Sequence, residues 1–325
     1  MHRSRRTAAL ALGVFALACA GEEVGAQAYP SKPLRVIVPY PPGGGVDAIA
    51  RAVAPRLSER LAQPVVIDNR GGAGGNIGTE IAARTAPDGY TLMMGAAALA
   101  INASLYAKLS FDPVRDFTPI SLLASTPNIV TVHPSMPVKT LRELIALART
   151  TRGGINYGSA GNGTTSHLAG ELLRSMAKID LVHIPYKGTT GALTALVGGE
   201  APLMLAPALT VLPQIQAGKL RALAITSSKR SSVLPDLPTV AESGLPGFEA
   251  SQWYGVLLPV GAAPEIVDRL NREIVAVLKL PEVSQALARD GSILVGSSAS
   301  EFSTYLKSEI DKWAKVVKAS GARVD

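Results

Sequence analysis

The chain has 325 residues, a formal net charge of +7 and one cysteine, with 47% hydrophobic and 5% aromatic residues. Its basic residues are scattered and aromatics are sparse, which argues against a nucleic-acid surface, where Lys and Arg cluster beside stacking rings. A mildly basic surface suits the capture of anionic solutes instead.

Residues 1–28 read as an export signal. His2, Arg3, Arg5 and Arg6 precede an apolar run from Ala8 to Ala20 that is too short for a stable membrane span. Small residues at −3 and −1 mark two cleavage points, Ala18-Cys19-Ala20 and Ala26-Gln27-Ala28. Cleavage after Ala28 is favoured, because strand-forming sequence starts just beyond it. Arg5-Arg6 hints at a twin-arginine signal, but the following residues fit that pattern poorly. Cys19 as a lipid attachment site is disfavoured by Ala16, which stands where a branched apolar residue belongs. Beyond Ala28 there is no cysteine, so the core carries the fold without disulfides, and no later stretch is apolar enough to span a membrane. A chain of this length usually divides into two lobes.

Strand-like runs then alternate with amphipathic helical stretches, which predicts an α/β fold with largely parallel sheets. Leu34 to Pro39 is a β-branched strand, and Asp47 opens a helix with Ile49, Val53, Leu57 and Leu61 on one face and Pro55 interrupting it. Pro64 to Ile67, Tyr90 to Met94, Ile129 to Val132 and Ile155 to Tyr157 read as strands, with helices at Gly78 to Arg84, Thr140 to Arg149 and Thr165 to Met176. Met204-Leu205, Leu220 to Thr226 and Trp253 to Leu258 are further strands. A helix starts at Pro264, where proline tolerates its missing donor, and the last helix carries Phe302, Leu306, Ile310, Trp313 and Val317. The organisation expected is one lobe from residues 29–127 with 252–325 and a second from 128–251. Two extended crossings, near Asn128 and Gln252, form the hinge.

Three glycine-rich segments lie where a strand gives way to a helix. In Tyr40-Pro41-Pro42-Gly43-Gly44-Gly45-Val46-Asp47, glycines let a ligand approach the backbone, and the helix that follows offers free amides and its positive dipole end. An ordinary turn capped by Asp47 is the alternative. The segment Arg70 to Glu80 fails G-x-G-x-x-G because Ile77 takes the sixth position, which excludes a dinucleotide fingerprint; Asn76 either caps the helix or reaches into the cleft. Gly158 to His167 belongs to the second lobe and opposes the first loop, and Thr164, Thr165 and Ser166 offer hydroxyls for capping or for a carboxylate. A nucleophilic serine finds little support, since G-x-S-x-G is absent and no base pairs with Ser159 by pattern. His133, His167 and His183 lack metal-ligand spacing, and Gly218-Lys219-Leu220 lacks the hydroxyl residue of a phosphate loop. No cofactor, metal or catalytic chemistry is expected.

With these segments assembled, the chain resembles the substrate-binding proteins of tripartite tricarboxylate transporters, the Bug or TctC family. YPSKPLRVIVPYPPGGGVDAIAR, DGYTL, FDPVRDFTPI, NYGSAGNGTTSHLAGE, HIPYKGT, AGKLRALAIT and LPTVAESGLPGF carry the resemblance over nearly the whole chain beyond Ala28. It implies a two-lobed periplasmic type II binding-protein fold that closes on a small carboxylate and delivers it to membrane transporter subunits or, alternatively, presents it to a sensor kinase. It also implies that the ligand is held by backbone amides and water from the two facing loops. Carried onto this sequence, those are Tyr40, Pro42, Gly43, Gly44, Gly45 and Asp47 on one side. Ser159, Asn162, Gly163, Thr164 and Thr165 stand on the other, with Lys187 and Gly188 nearby. Ala97, Ala98 and Asn102 are expected at the floor, and Trp253 either near a crossing at the site or in the core. One departure stands out: Ala201-Pro202 and then Leu203 to Pro207 replace a Val-Asp pair and a strand with a polar end. It predicts an apolar far wall at Pro207 and an aromatic or aliphatic acid rather than citrate, unless Pro202 only blunts a strand edge. A monomer is expected.

Overall fold

The computed structural model describes residues 29–231, 233–289 and 291–324, so the expected signal segment lies outside the described residues. The chain alternates strands and helices as β1 (Leu34–Val38), α1 (Gly45–Leu61), β2 (Val65–Asn69), α2 (Asn76–Ala83), β3 (Thr91–Ala96) and α3 (Ala98–Leu105). It continues through β4 (Phe117–Val132), α4 (Leu141–Thr150), β5 (Ile155–Ser159), α5 (Thr165–Ala177), β6 (Leu181–Pro185), α6 (Thr189–Val197) and β7 (Leu203–Pro207). Then come α7 (Ala208–Gln216), β8 (Arg221–Ile225), β9 (Ser251–Pro259), α8 (Pro264–Leu278), α9 (Pro281–Arg289), β10 (Ile293–Leu294) and α10 (Ala299–Ser320). Among the described residues no helix is long and apolar enough to cross a membrane.

The strands join in the order β2-β1-β3-β9-β4-β7-β5-β6, with β8 and β10 also on β4. Parallel pairing, the hallmark of βαβ units, is confined to β1 with β2 and β3, and β5 with β6 and β7. The sheet as a whole is mixed, because β4 and β9 run antiparallel to their neighbours. Those two strands also join the halves of the sheet. From Phe117 to Pro127, β4 pairs with β9; from Asn128 to Val132 it pairs with β7 and β8. The switch point is stitched: Asn128 Nδ2 donates to the Ala250 carbonyl at 2.9 Å, and the Asn128 amide donates to Thr226 Oγ1 at 2.9 Å.

Apolar periodicity places the helices. Ile49, Val53, Leu57 and Leu61 of α1 are all buried and pack with Leu270, Ile274 and Val277 of α8. Trp253, Phe302 and Trp313 anchor a second core that tethers α10 under the sheet. Two helices are capped by side chains: Thr140 accepts from the Glu143 amide at α4, and Ser298 and Glu301 form a reciprocal capping box at α10.

Candidate functional site

Between the two sheet halves lies a narrow cavity, with about 470 Å³ of empty space once the open solvent at its mouth is included. Five helices begin at its wall. Gly44, Gly45 and Val46 come from the start of α1, Ala98 from α3, Thr164, Thr165 and Ser166 from α5, Thr189 from α6, and Pro207 is the residue before α7. None of these five helices has a side-chain cap hydrogen bond at its first turn. That contrasts with α4 and α10; of the other helices, α2 starts at a glycine cap beside the neighbouring recess, and α8 begins with a proline that lacks the donor anyway. Uncapped first turns leave amide donors and positive dipole ends facing the cavity. Among the described residues no charged side chain lines it.

The hydroxyls of the second loop are engaged within the protein. Thr164 Oγ1 donates to the Gly161 carbonyl at 2.7 Å, Ser166 Oγ accepts from the Ala160 amide at 3.0 Å, and Thr165 Oγ1 donates to Gln252 Oε1 at 3.1 Å. What the second loop leaves facing the cavity is therefore mainly main-chain N–H, which suits a carboxylate or another small anion.

The expected site residues divide into groups. Tyr40, Gly44, Gly45, Ala98, Thr164, Thr165 and Pro207 line the cavity. Asn162, Lys187 and Gly188 line a larger cleft of about 1160 Å³ that shares Tyr40, Pro41 and Ala160 with it. Asn76 and Asn102 lie in a recess behind Tyr40, where Asn102 Nδ2 donates to Asn76 Oδ1 at 2.7 Å. Asn76 does not cap α2, since Gly75 holds the cap position at φ 102° and the Asn76 side chain turns to Asn102.

Seven others do not reach the cavity wall. Pro42 and Gly43 are exposed, and the Gly43 amide is taken by Asp47 Oδ2 at 2.9 Å. Asp47 itself is buried inside α1, three residues past its Gly44 cap, and is held by Arg51 and Asn69 as well. Burial pushes its carboxyl up, but the bonds from Arg51, Gly43 and Asn69 outweigh this and hold it below the usual carboxylate range. Ala97 is core. Ser159 is fully buried, with Oγ 2.5 Å from His183 Nε2 and a further bond to the Gly161 carbonyl. Neither residue of that pair is among those lining the cavity. Gly163 packs against the Asn102 side chain from the opposed half, so closely that a Cβ would overlap it. Trp253 has its indole edge-on to Phe302 and Tyr305 in the core.

Three polar residues outside the expected set do line the cavity: Thr189 at the start of α6, Gln252 and Tyr254. Gln252 and Tyr254 flank Trp253 on β9, and strand alternation puts both on the face opposite the indole. That period was the available signal. The expected apolar far wall is correspondingly narrow: of Leu203 to Pro207 only Pro207 reaches the cavity, the rest being core. Among the described residues no cluster of His, Cys, Asp or Glu could hold a metal ion.

A two-half α/β fold whose strands cross twice around a cavity of helix N-termini is the architecture of periplasmic binding proteins. Known proteins place the chain within that class. Residues 49–322 match the model of the tripartite tricarboxylate transporter family receptor, TctC. Protein BugT of Bordetella pertussis is 39% identical over 319 residues, covering 96% of this chain and 97% of the relative. Among solved structures, an R. palustris protein with adipate superposes with a TM-score of 0.88 at 36% identity, covering 91% of this chain and all of that one. MatC from Rhodopseudomonas palustris with bound malate gives 0.86 at 32% identity, covering 89% and 100%. The chain belongs to the TctC family, and it is a solute-binding protein of the periplasmic Bug type.

Proposed function

We propose that the chain captures a small carboxylate, an aliphatic or aromatic organic acid, by closing two lobes on it, and delivers it to a tripartite tricarboxylate-type transporter. In this reading residues 29–127 with 252–325 make one lobe and 128–251 the other, with crossings at Asn128 and Gln252. Residues 1–28 direct export and are removed after Ala28.

The observation that carries the reading is the ring of uncapped helix N-termini around a cavity without charged side chains. Each terminus contributes about 0.3–1 kcal/mol to an anion, up to about 2 when partly buried. A micromolar ligand requires about 8 kcal/mol. The termini therefore orient the carboxylate, and burial of the ligand's remaining surface between the lobes supplies much of the affinity. The two solved relatives hold adipate and malate, both small carboxylates.

A thermal-shift and calorimetric screen of ligand-stripped protein tests this with adipate, malate, benzoate and citrate. A ligand that binds only the native state raises its melting temperature. The reading expects a shift from adipate or benzoate. It fails if no carboxylate shifts the transition, and its preference among acids fails if citrate binds tightly and the others do not.

A further inference from the structure

Tyr254 is wholly buried, yet its hydroxyl has no hydrogen-bond partner among the described residues. The backbone around it is fixed: β9 sets Tyr254 opposite Ala96 of β3 on one side and Ala124 of β4 on the other. Its ring packs into the core shared by α1 and α8. Tyr254 is among the residues lining the cavity, and its oxygen end lies against Gly45, another of them. A Cβ placed on Gly45 would stand 2.6 Å from that oxygen, so the phenol abuts the first residue of α1. The Thr126 hydroxyl is close to the phenol, but the two do not meet hydrogen-bond geometry, and Thr126 Oγ1 pairs with Ser292 Oγ at 2.9 Å.

A buried hydroxyl without a partner costs free energy, and phenylalanine would fill the same core position without that cost. The cavity wall offers a reason for the oxygen. We propose that Tyr254 is a ligand-contacting, specificity-determining residue whose phenol donates a hydrogen bond to the carboxylate seated at the N-terminus of α1. The inference rests on the carboxylate reading above and adds to it a side-chain donor among main-chain ones. Burial keeps the phenol protonated well above the physiological range, so it serves as a donor whenever the ligand is ionised. A phenol aimed at the head group favours an anionic acceptor, since hydrogen bonds to charged groups are about twice as strong as neutral ones. Carboxylates should thus be preferred over the corresponding primary amides.

The test compares full-length wild type with Tyr254→Phe, each stripped of ligand, in calorimetric titrations with adipate, malate, benzoate and benzamide, alongside melting of the unliganded proteins. The expected result is an affinity for the bound acids about tenfold weaker in Tyr254→Phe. The unliganded variant should melt at the wild-type temperature or above it, because an unsatisfied group has been removed. Unchanged affinity in the variant overturns the assignment. So does weaker binding accompanied by a lower melting temperature without ligand, which marks a structural role. Wild type that binds none of the acids overturns the carboxylate reading itself, a failure separable from that of Tyr254.

Discussion

Thr165 Oγ1, at the first residue of α5, donates to Gln252 Oε1 at 3.1 Å, and both residues are buried. The bond joins the second half of the sheet to β9, the strand that pairs with the first half, and it does so at the cavity wall. Replacing Gln252 with Leu keeps most of the volume but strands the Thr165 hydroxyl, at a cost of about 1–3 kcal/mol. Under the proposed lobe closure, the cost falls on the closed form, in which the two halves touch. Ligand affinity should fall about five- to tenfold, and small-angle scattering of the liganded variant should show a larger radius of gyration than wild type. Wild-type affinity and scattering in Gln252→Leu would remove the bond from the closure mechanism.

Two neighbouring glycines should respond differently to a methyl group. At Gly44 an added Cβ would meet Thr189 Oγ1 at 3.5 Å, an ordinary contact, whereas at Gly45 it would stand 2.6 Å from the embedded Tyr254 hydroxyl. Gly44→Ala should fold and bind nearly as wild type. Gly45→Ala must displace the phenol or the helix, and overpacking of this kind costs about 1–3 kcal/mol. Gly44→Val, with two further methyl groups at the mouth of α1, should fold yet lose most of its affinity. Calorimetry and thermal melting of the three variants separate these outcomes, and full binding by Gly44→Val would displace the carboxylate from the α1 terminus.

Much of this architecture was legible in the chain because apolar spacing and glycine punctuation are local signals. The α1 face of Ile49, Val53, Leu57 and Leu61 and the proline start of α8 are examples. The starts of α1 and α5 at the cavity were legible for the same reason: a glycine run after a strand leaves few other uses for bare amides. What the chain hid is long-range. Asp47 belongs to a loop that invites a ligand role, but its partners Arg51 and Asn69 are brought to it by helix and sheet geometry. Trp253 drew attention as a large aromatic near a crossing, while strand alternation turned it into the core and its neighbours toward the cavity. Ser159 looked unpaired by pattern; parallel pairing of β5 with β6 sets the neighbouring Tyr157 opposite His183, whose ring reaches the Ser159 hydroxyl.

That pairing has a consequence in acid. His183 stacks on His167 at 4.0 Å between ring centroids and on Tyr157 at 5.0 Å, with Glu171 and Arg174 close by. Burial lowers His167 to about 4; burial and then the neighbouring His167 lower His183 to about 3, against the pull of Glu171. Both rings are thus neutral in the fold where the unfolded chain, with an ordinary value near 6.5, already takes up protons. The stability they contribute is complete above about pH 6.5 and is lost progressively as pH falls toward about 4 and about 3. Denaturant titrations at pH 7, 6, 5 and 4 should show stability falling with a slope that His183→Asn reduces. Equal slopes in wild type and variant would show that these rings do not govern the acid limb.

Asp47 places a carboxylate in the first turn of the very helix proposed to receive the ligand's negative head group. Its charge is spent locally, on Arg51 Nε at 2.8 Å, the Gly43 amide at 2.9 Å and Asn69 Nδ2 at 3.0 Å. Arg51 balances it, and the Gly43 bond fixes the loop that exposes Gly44 and Gly45. Because its folded pKa is lowered, Asp47 contributes stability above its ordinary value of 3.8 and loses it as pH falls below that value. Asp47→Asn sets an amide donor against either the Gly43 amide or Asn69 Nδ2 and removes the ion pair, so unfolding should become easier by about 1–3 kcal/mol near neutral pH. Ligand affinity should fall as well, through a loosened loop rather than a lost contact, and Asp47→Glu should restore little because the longer side chain misplaces its oxygens. A variant as stable as wild type whose binding is nonetheless abolished would instead make Asp47 a direct ligand group.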